Sequence, residues 1–283
     1  MTNREKHYIR IDSRHDLFDL KLKEVWRYRD LIWLFTKRSF QLSYKQTLLG
    51  PLWMFISPIF SSVVYTIVFT DIAKIGTEGV PSILFYMVSN AVWSFFSSSL
   101  TGNASTFTSN AGIFGKVYFP RLVIPLANVL SCVIRMGIHF IVTAALFVYF
   151  TVQGAVTPHY WAILLIPAVL IWLGIMGMSC GIIISSLTTK YRDLSVFVGF
   201  GMSLWMYATP IVYPISQVSL PWLNTLLLIN PVTMPVELFR FALLGKGFFH
   251  PVSLVISLAF TAFVTFFGIM LFNKVERNFM DTV

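Results

Sequence analysis

Charge is scarce in this chain. Asp, Glu, Lys and Arg make up 12% of its 283 residues, where a soluble domain carries about a quarter. With 56% hydrophobic residues and a mean hydropathy of +0.74, this excludes a soluble globular fold. Two cysteines, Cys132 and Cys180, are too few for a disulfide scaffold or a metal cluster. Both lie in apolar stretches and read as core residues; a bond between them is open, with nothing to support it. The sequence holds no G-x-x-x-x-G-K-[ST] phosphate loop, no His-Glu-x-x-His, no G-x-S-x-G and no clustered carboxylates. No catalytic residue and no metal ligand is therefore expected, and ATP is not expected to be hydrolysed by this chain. None of the 12 acidic residues falls well inside an apolar span, which argues against the acidic relay of a proton-coupled carrier. Alternating segments of about ten residues, the mark of a porin-type barrel, are missing. The first thirty residues are charged without an apolar core, so no cleavable leader is expected.

What is present is a series of uncharged runs long enough to cross a bilayer, for which ~20 helical residues suffice. Such spans must be helical, because lipid offers no partner for unpaired backbone groups. The pattern predicts an all-α polytopic membrane protein. Residues 1–23 form a polar cytoplasmic tail, 24–46 an amphipathic interface helix, and 47–283 a domain of six transmembrane helices. The spans are expected at about 51–70, 82–106, 123–152, 159–187, 194–212 and 248–272. Inner loops cover 107–122 and 188–193. Prolines 214, 221, 231 and 235 interrupt a segment that is still apolar, so 213–250 reads as re-entrant or gate helices on the outer side.

The net charge of +9 is no nucleic-acid footprint, because the cations sit in tails and short loops. Eleven of the 21 Lys and Arg precede the first span. Lys116, Arg121, Lys190, Arg192, Lys274 and Arg277 share that side, Lys74, Arg240 and Lys246 take the other, and Arg135 lies inside the third span. The positive-inside rule then places both termini in the cytoplasm.

Four groups of residues stand out. The stretch Ala111–Leu126 is basic, aromatic and broken by Pro120 and Pro125, a stiff handle that exposes Arg121 to a pushing partner. In the interface helix, Val25, Tyr28, Ile32, Phe35 and Leu42 share one face, opposite Arg27, Asp30, Lys37, Arg38, Gln41 and Lys45, with Trp26 and Trp33 along the boundary. Lys37, Arg38 and Lys45 sit at headgroup level, where they either attract a pyrophosphate or express the positive-inside bias alone. Arg135 stands one turn from His139; it either bonds backbone and a neighbouring helix or meets an anionic substrate. Aromatic residues recur in the first and fifth spans: Trp53, Phe55, Phe60 and Tyr65, then Phe197, Phe200, Trp205, Tyr207 and Tyr213. If both spans face one lumen, these rings offer a slide on which sugars stack; otherwise they pack against lipid and protein.

Five pieces carry a resemblance over nearly the whole chain beyond the tail: S-Y-K-Q-T-L-L-G-P-L-W at Ser43–Trp53, K-V-Y-F-P-R-L-V-I-P-L at Lys116–Leu126, K-Y-R-D-L at Lys190–Leu194, T-P-I-V-Y-P at Thr209–Pro214 and N-P-V-T at Asn230–Thr233. The chain resembles the membrane-spanning permeases of ATP-binding cassette exporters for lipid-linked polysaccharide, of the O-antigen, teichoic acid and capsule type. The resemblance implies a homodimer in the bacterial cytoplasmic membrane with two separate nucleotide-binding subunits. Those subunits would carry ATP and Mg, leaving no cofactor on this chain. It implies coupling to the ATPase through Lys116, Tyr118, Phe119, Pro120, Arg121, Tyr191, Arg192 and Asp193, and a lipid-linked glycan as substrate. Rival readings are an exporter of small hydrophobic drugs or lipids, a membrane scaffold without transport, and a glycan-modifying enzyme disfavoured by the missing carboxylates.

Overall fold

The computed structural model describes residues 22–282 apart from 46, 115, 157–158, 190 and 192. Among the described residues the chain forms α-helices and no strand: α1 (Leu22–Arg27), α2 (Arg29–Leu42), α3 (Trp53–Tyr65), α4 (Ser82–Ala104), α5 (Thr106–Phe114), α6 (Val123–Val152), α7 (Leu165–Thr188), α8 (Leu194–Tyr207), α9 (Pro221–Ile229), α10 (Thr233–Leu244) and α11 (Pro251–Thr282). Five continuous helical stretches among the described residues are long and apolar enough to cross a membrane: Gly50–Ile72, Ser82–Ala104, Val123–Val152, Trp161–Thr188 and Pro251–Val275. The first runs from a 3-10 turn through α3 into a π-helical stretch at Thr66–Ile72.

The fifth expected span is shorter than the sequence suggests. α8 has 14 residues, about 21 Å against the ~30 Å of hydrocarbon to be crossed. It stops at Tyr207 because Pro210 has no N–H to continue the ladder and disfavours the helical conformation at Thr209. α9 and α10 then meet at 87°, with Asn230 and Pro231 in the corner. Read as one bent unit they bring the number of possible spans to six.

α4 is the central element, packed against α3, α6, α7 and α10. Its tightest neighbour is α7, and the sequence explains why. Gly177 and Gly181 form a G-x-x-x-G step, the small-residue spacing that lets membrane helices approach closely. A Cβ on Gly181 would stand 2.5 Å from the Leu100 carbonyl oxygen, and one on Gly177 2.9 Å from Ser99 Cβ. α7 binds α11 on its other side, where the Trp172 indole N–H donates to Thr261 at 2.8 Å and Ser179 meets Thr265 at 3.1 Å.

At the end of the bundle that carries α1 and α2, a second apolar core gathers Val25, Ile32, Phe107, Phe114, Phe119, Leu122, Ile182 and Phe272. Three expectations are corrected here. The 24–46 helix is two helices, broken at Tyr28 (φ −93°, ψ 23°) and ending at Leu42. Its buried face centres on Val25, Ile32 and Thr36, and Leu42 is 65% exposed. Half of the 107–122 inner loop is helical, because α5 occupies Thr106–Phe114.

Candidate functional site

The opposite end of the bundle is locked around two residues. Arg240 of α10 is 2% exposed, and every arm of its guanidinium is engaged. Nε donates to Ser89 Oγ at 2.8 Å, one terminal nitrogen to Glu237 Oε1 at 2.7 Å, and the other to the carbonyls of Pro210 and Ile211. Its cation lies 4.3 Å from the centroid of the Phe85 ring, an added attraction for a desolvated charge. The second Glu237 oxygen accepts the Phe248 N–H at 2.9 Å.

Asn230 is the other hub. Its amide donates to the Ala208 carbonyl at 2.7 Å and to Thr209 Oγ1 at 2.9 Å, while its oxygen accepts from the Trp205 indole at 3.1 Å and the Val232 N–H at 3.0 Å. The T-P-I-V-Y-P and N-P-V-T stretches, 16 residues apart along the chain, are thus one hydrogen-bonded unit. The loop after α3 joins it: the Gly76 N–H donates to Gln217 at 3.0 Å and Ser216 donates to Glu78. Lys74 and Glu78 hold positive φ values of 59° and 56° in that loop.

Arg240 is therefore no solvated outer-loop cation, as the sequence suggested, but a buried tie between α10, α4 and the turn after α8. The charge comparison between the two faces becomes more lopsided when it is removed. The available sign was local: an acid and a base three apart within a helix-length apolar run sit on one face and pair.

The handle is also rearranged. Lys116, Val117 and Tyr118 are exposed, Tyr118 by 69%, whereas Arg121 is 7% exposed and lies over the Phe114 ring at 5.5 Å. The expectation that Arg121 is offered to a partner is corrected: the turn directs it inward, where an aromatic face stabilises the cation. Phe119 is buried and Pro120 half-buried. Rings run without a gap from Phe35 to Phe119 (5.8 Å), Phe114 (5.7 Å), Phe107 (6.2 Å) and Phe272 (5.3 Å). α2, the handle, α5 and α11 form one packed block; Phe107 and Phe114 were not singled out from sequence. Tyr191 and Asp193 are exposed on the neighbouring loop, and Arg192 lies outside the described residues.

The lumen candidates separate into two kinds. Trp53, Phe60, Phe200 and Tyr207 are exposed; Phe55, Tyr65, Trp205 and Tyr213 are half-buried. α3 and α8 meet where the Tyr65 hydroxyl reaches Met206 Sδ at 3.8 Å. Tyr213 donates back to the Tyr207 carbonyl at 2.8 Å. Trp205 is tied to Asn230 and packed edge-on against Phe96 at 5.3 Å, so it braces that hydrogen-bonded unit and is withdrawn from the set of free stacking surfaces.

Lys37, Arg38 and Lys45 are exposed on and just beyond α2. α2 is pinned to the start of α6, with Thr36 Oγ1 bonding the Ala127 carbonyl at 3.3 Å and Ser39 facing Ser131 at 3.4 Å. Arg135 lies one turn further along α6 and donates to Cys132 Sγ at 3.0 Å. Among the described residues no group of three or more His, Cys, Asp or Glu could hold a metal, and the ion pair seen is Glu237–Arg240.

Comparison with known proteins adds the following. Residues 30–244 match the family described as ABC-2 type transporter. A protein of Klebsiella pneumoniae named O-antigen export system permease protein RfbA is 30% identical over 257 residues, covering 89% of this chain and 94% of that protein. A protein of the same name from Myxococcus xanthus is 28% identical over 213 residues, covering 75% of this chain and 79% of its own.

Proposed function

From the premise that this chain belongs to the ABC-2 type transporter family, we propose that it is the permease subunit of an ATP-driven exporter of lipid-linked polysaccharide. The observation that carries this reading is the near end-to-end similarity to permeases named for O-antigen export. The substrate class is taken from those relatives; a glycan of the O-antigen type is the first candidate, ahead of teichoic acid or capsule. The chain supplies the conduit and a separate nucleotide-binding subunit supplies ATP hydrolysis, since no phosphate loop occurs in the sequence.

The remaining assignments follow from exposure and charge. The face bearing α1, α2 and the handle is cytoplasmic, because the cations gather there. Lys116, Val117 and Tyr118 contact the ATPase, with Tyr191 and Asp193 beside them, while Phe119, Pro120 and Arg121 anchor that contact to the packed block beneath. A push on so rigid a block is transmitted rather than absorbed. The outward rings Trp53, Phe60, Phe200 and Tyr207 line the route of the glycan, and a second copy of the chain closes it.

The test is reconstitution of the full chain in proteoliposomes with and without a cognate cassette ATPase. Movement of a labelled lipid-linked glycan is expected with both subunits and ATP. Uphill movement by this chain alone, or movement of small lipophilic cations in place of the glycan, would overturn the reading.

A further inference from the structure

Between α4 and α6 lies a cavity of about 80 Å³ lined by Ala91, Ser94, Phe95, Ser98, Cys132, Arg135, Met136 and His139. One water needs about 10–15 Å³ of such space, so the cavity accepts a compact polar group but no acyl chain. Its chemistry is unusual for a helix–helix seam in lipid. Arg135 takes part in no ion pair among the described residues, and it donates to the Cys132 thiol, a weak acceptor. A guanidinium carries five donors, so most of its capacity is unspent. His139 is 8% exposed, and its Nε2 has no hydrogen-bond partner among the described residues.

The position is as informative as the lining. Ala127, Ser131, Arg135 and His139 follow one another at four-residue steps along one stripe of α6. The first two bond α2, the helix whose amphipathic sequence assigns it to the interface plane. Arg135 therefore sits one turn, about 6 Å, below headgroup level, and on the orientation proposed above that level belongs to the cytoplasmic leaflet.

We propose that this cavity binds a lipid headgroup that joins a phosphate oxyanion to a neighbouring hydroxyl. The oxyanion accepts from Arg135 and from the Ser94 and Ser98 hydroxyls. The hydroxyl donates to His139 Nε2. Two membrane sources carry that pairing: phosphatidylglycerol, and a glycan linked to a lipid through pyrophosphate. A choline headgroup has the phosphate without the hydroxyl and serves as the discriminating control.

The experiment is native mass spectrometry of the purified full chain titrated separately with dioleoylphosphatidylglycerol, a polyprenyl-pyrophosphate disaccharide and dioleoylphosphatidylcholine. Retention of one or both hydroxylated lipids on the order of tenfold above phosphatidylcholine is expected, the size of the one hydroxyl–imidazole hydrogen bond that choline cannot make. Arg135→Gln and Ser98→Leu, the second of which fills the cavity without removing charge, should both abolish the preference, and Arg135→Lys should restore part of it. Equal retention of all three lipids, or an undiminished preference in both Arg135→Gln and Ser98→Leu, overturns the site. Retention of phosphatidylglycerol alone identifies a structural lipid, and retention of the disaccharide identifies a substrate subsite; either upholds the headgroup assignment. Because the assay needs neither ATP nor a partner, its failure is separate from failure of the export reading.

Discussion

Arg240 illustrates how far one side chain can organise a membrane protein. A charge at that depth is tolerable because its hydrogen bonds, its carboxylate partner and the Phe85 face replace the lost water. Removing one partner of a buried pair strands the other, at a cost of about 3–5 kcal/mol. Arg240→Met is therefore expected to lower the thermal unfolding midpoint of the detergent-purified chain sharply, and the double variant Glu237→Gln/Arg240→Met to recover part of the loss. A double variant no better than the single one would show that the pair is not the source of the effect. The handle divides in the same way between anchor and contact. Tyr118→Ala, at an exposed ring, should leave unfolding unchanged and weaken stimulation of a reconstituted ATPase, on the order of tenfold for an interface aromatic. Arg121→Glu should destabilise the chain itself, because it puts a carboxylate beside the Phe114 ring. If both variants unfold like the parent, the inward placement of Arg121 is wrong.

At the scale of elements, the α4–α7 seam depends on two missing methyl groups. Gly181→Ala drives a Cβ into the Leu100 carbonyl and Asn103; overpacking of that kind costs about 1–3 kcal/mol. Gly199→Ala on α8 meets nothing within 4 Å and should be neutral or stabilising by about 0.5–1 kcal/mol, since alanine favours the helix. Thermal unfolding of the two variants side by side checks the contrast, and a neutral Gly181→Ala would remove the close-approach argument. The helices themselves were legible from uncharged runs, which depend on local composition. The end of α8 at Tyr207 and the helical character of α5 were less so. A proline's effect reaches back several residues, and α5 is held by Phe107 and Phe114 packing on other segments.

For the whole molecule, the first span raises the largest question. Ile56, Ile59 and Val63 of α3, beside the Trp53 and Phe60 rings, remain exposed within one chain, and on the dimer proposed above they meet the second copy. In a chain with Cys132 and Cys180 replaced by Ala, Ile59→Cys should then be cross-linked between copies by a short bifunctional thiol reagent. Phe263→Cys, on the outward face of α11, should not. The reverse result would place the dimer seam elsewhere.

The sequence by itself determined the class of this protein. Runs without charge fix helices that cross lipid, the distribution of Lys and Arg indicates an orientation, and five short stretches in order point to a transporter family. These properties follow from composition and near-neighbour spacing, which a linear reading captures. Only the tertiary structure decided which residues work together: Arg240 with Pro210 and Ser89, Asn230 with Trp205, Thr36 with Ala127, and Arg135 and His139 with Ser94 and Ser98 around one cavity. Those partnerships join positions far apart along the chain. They form because a desolvated polar group must find a partner wherever the packing brings one within reach.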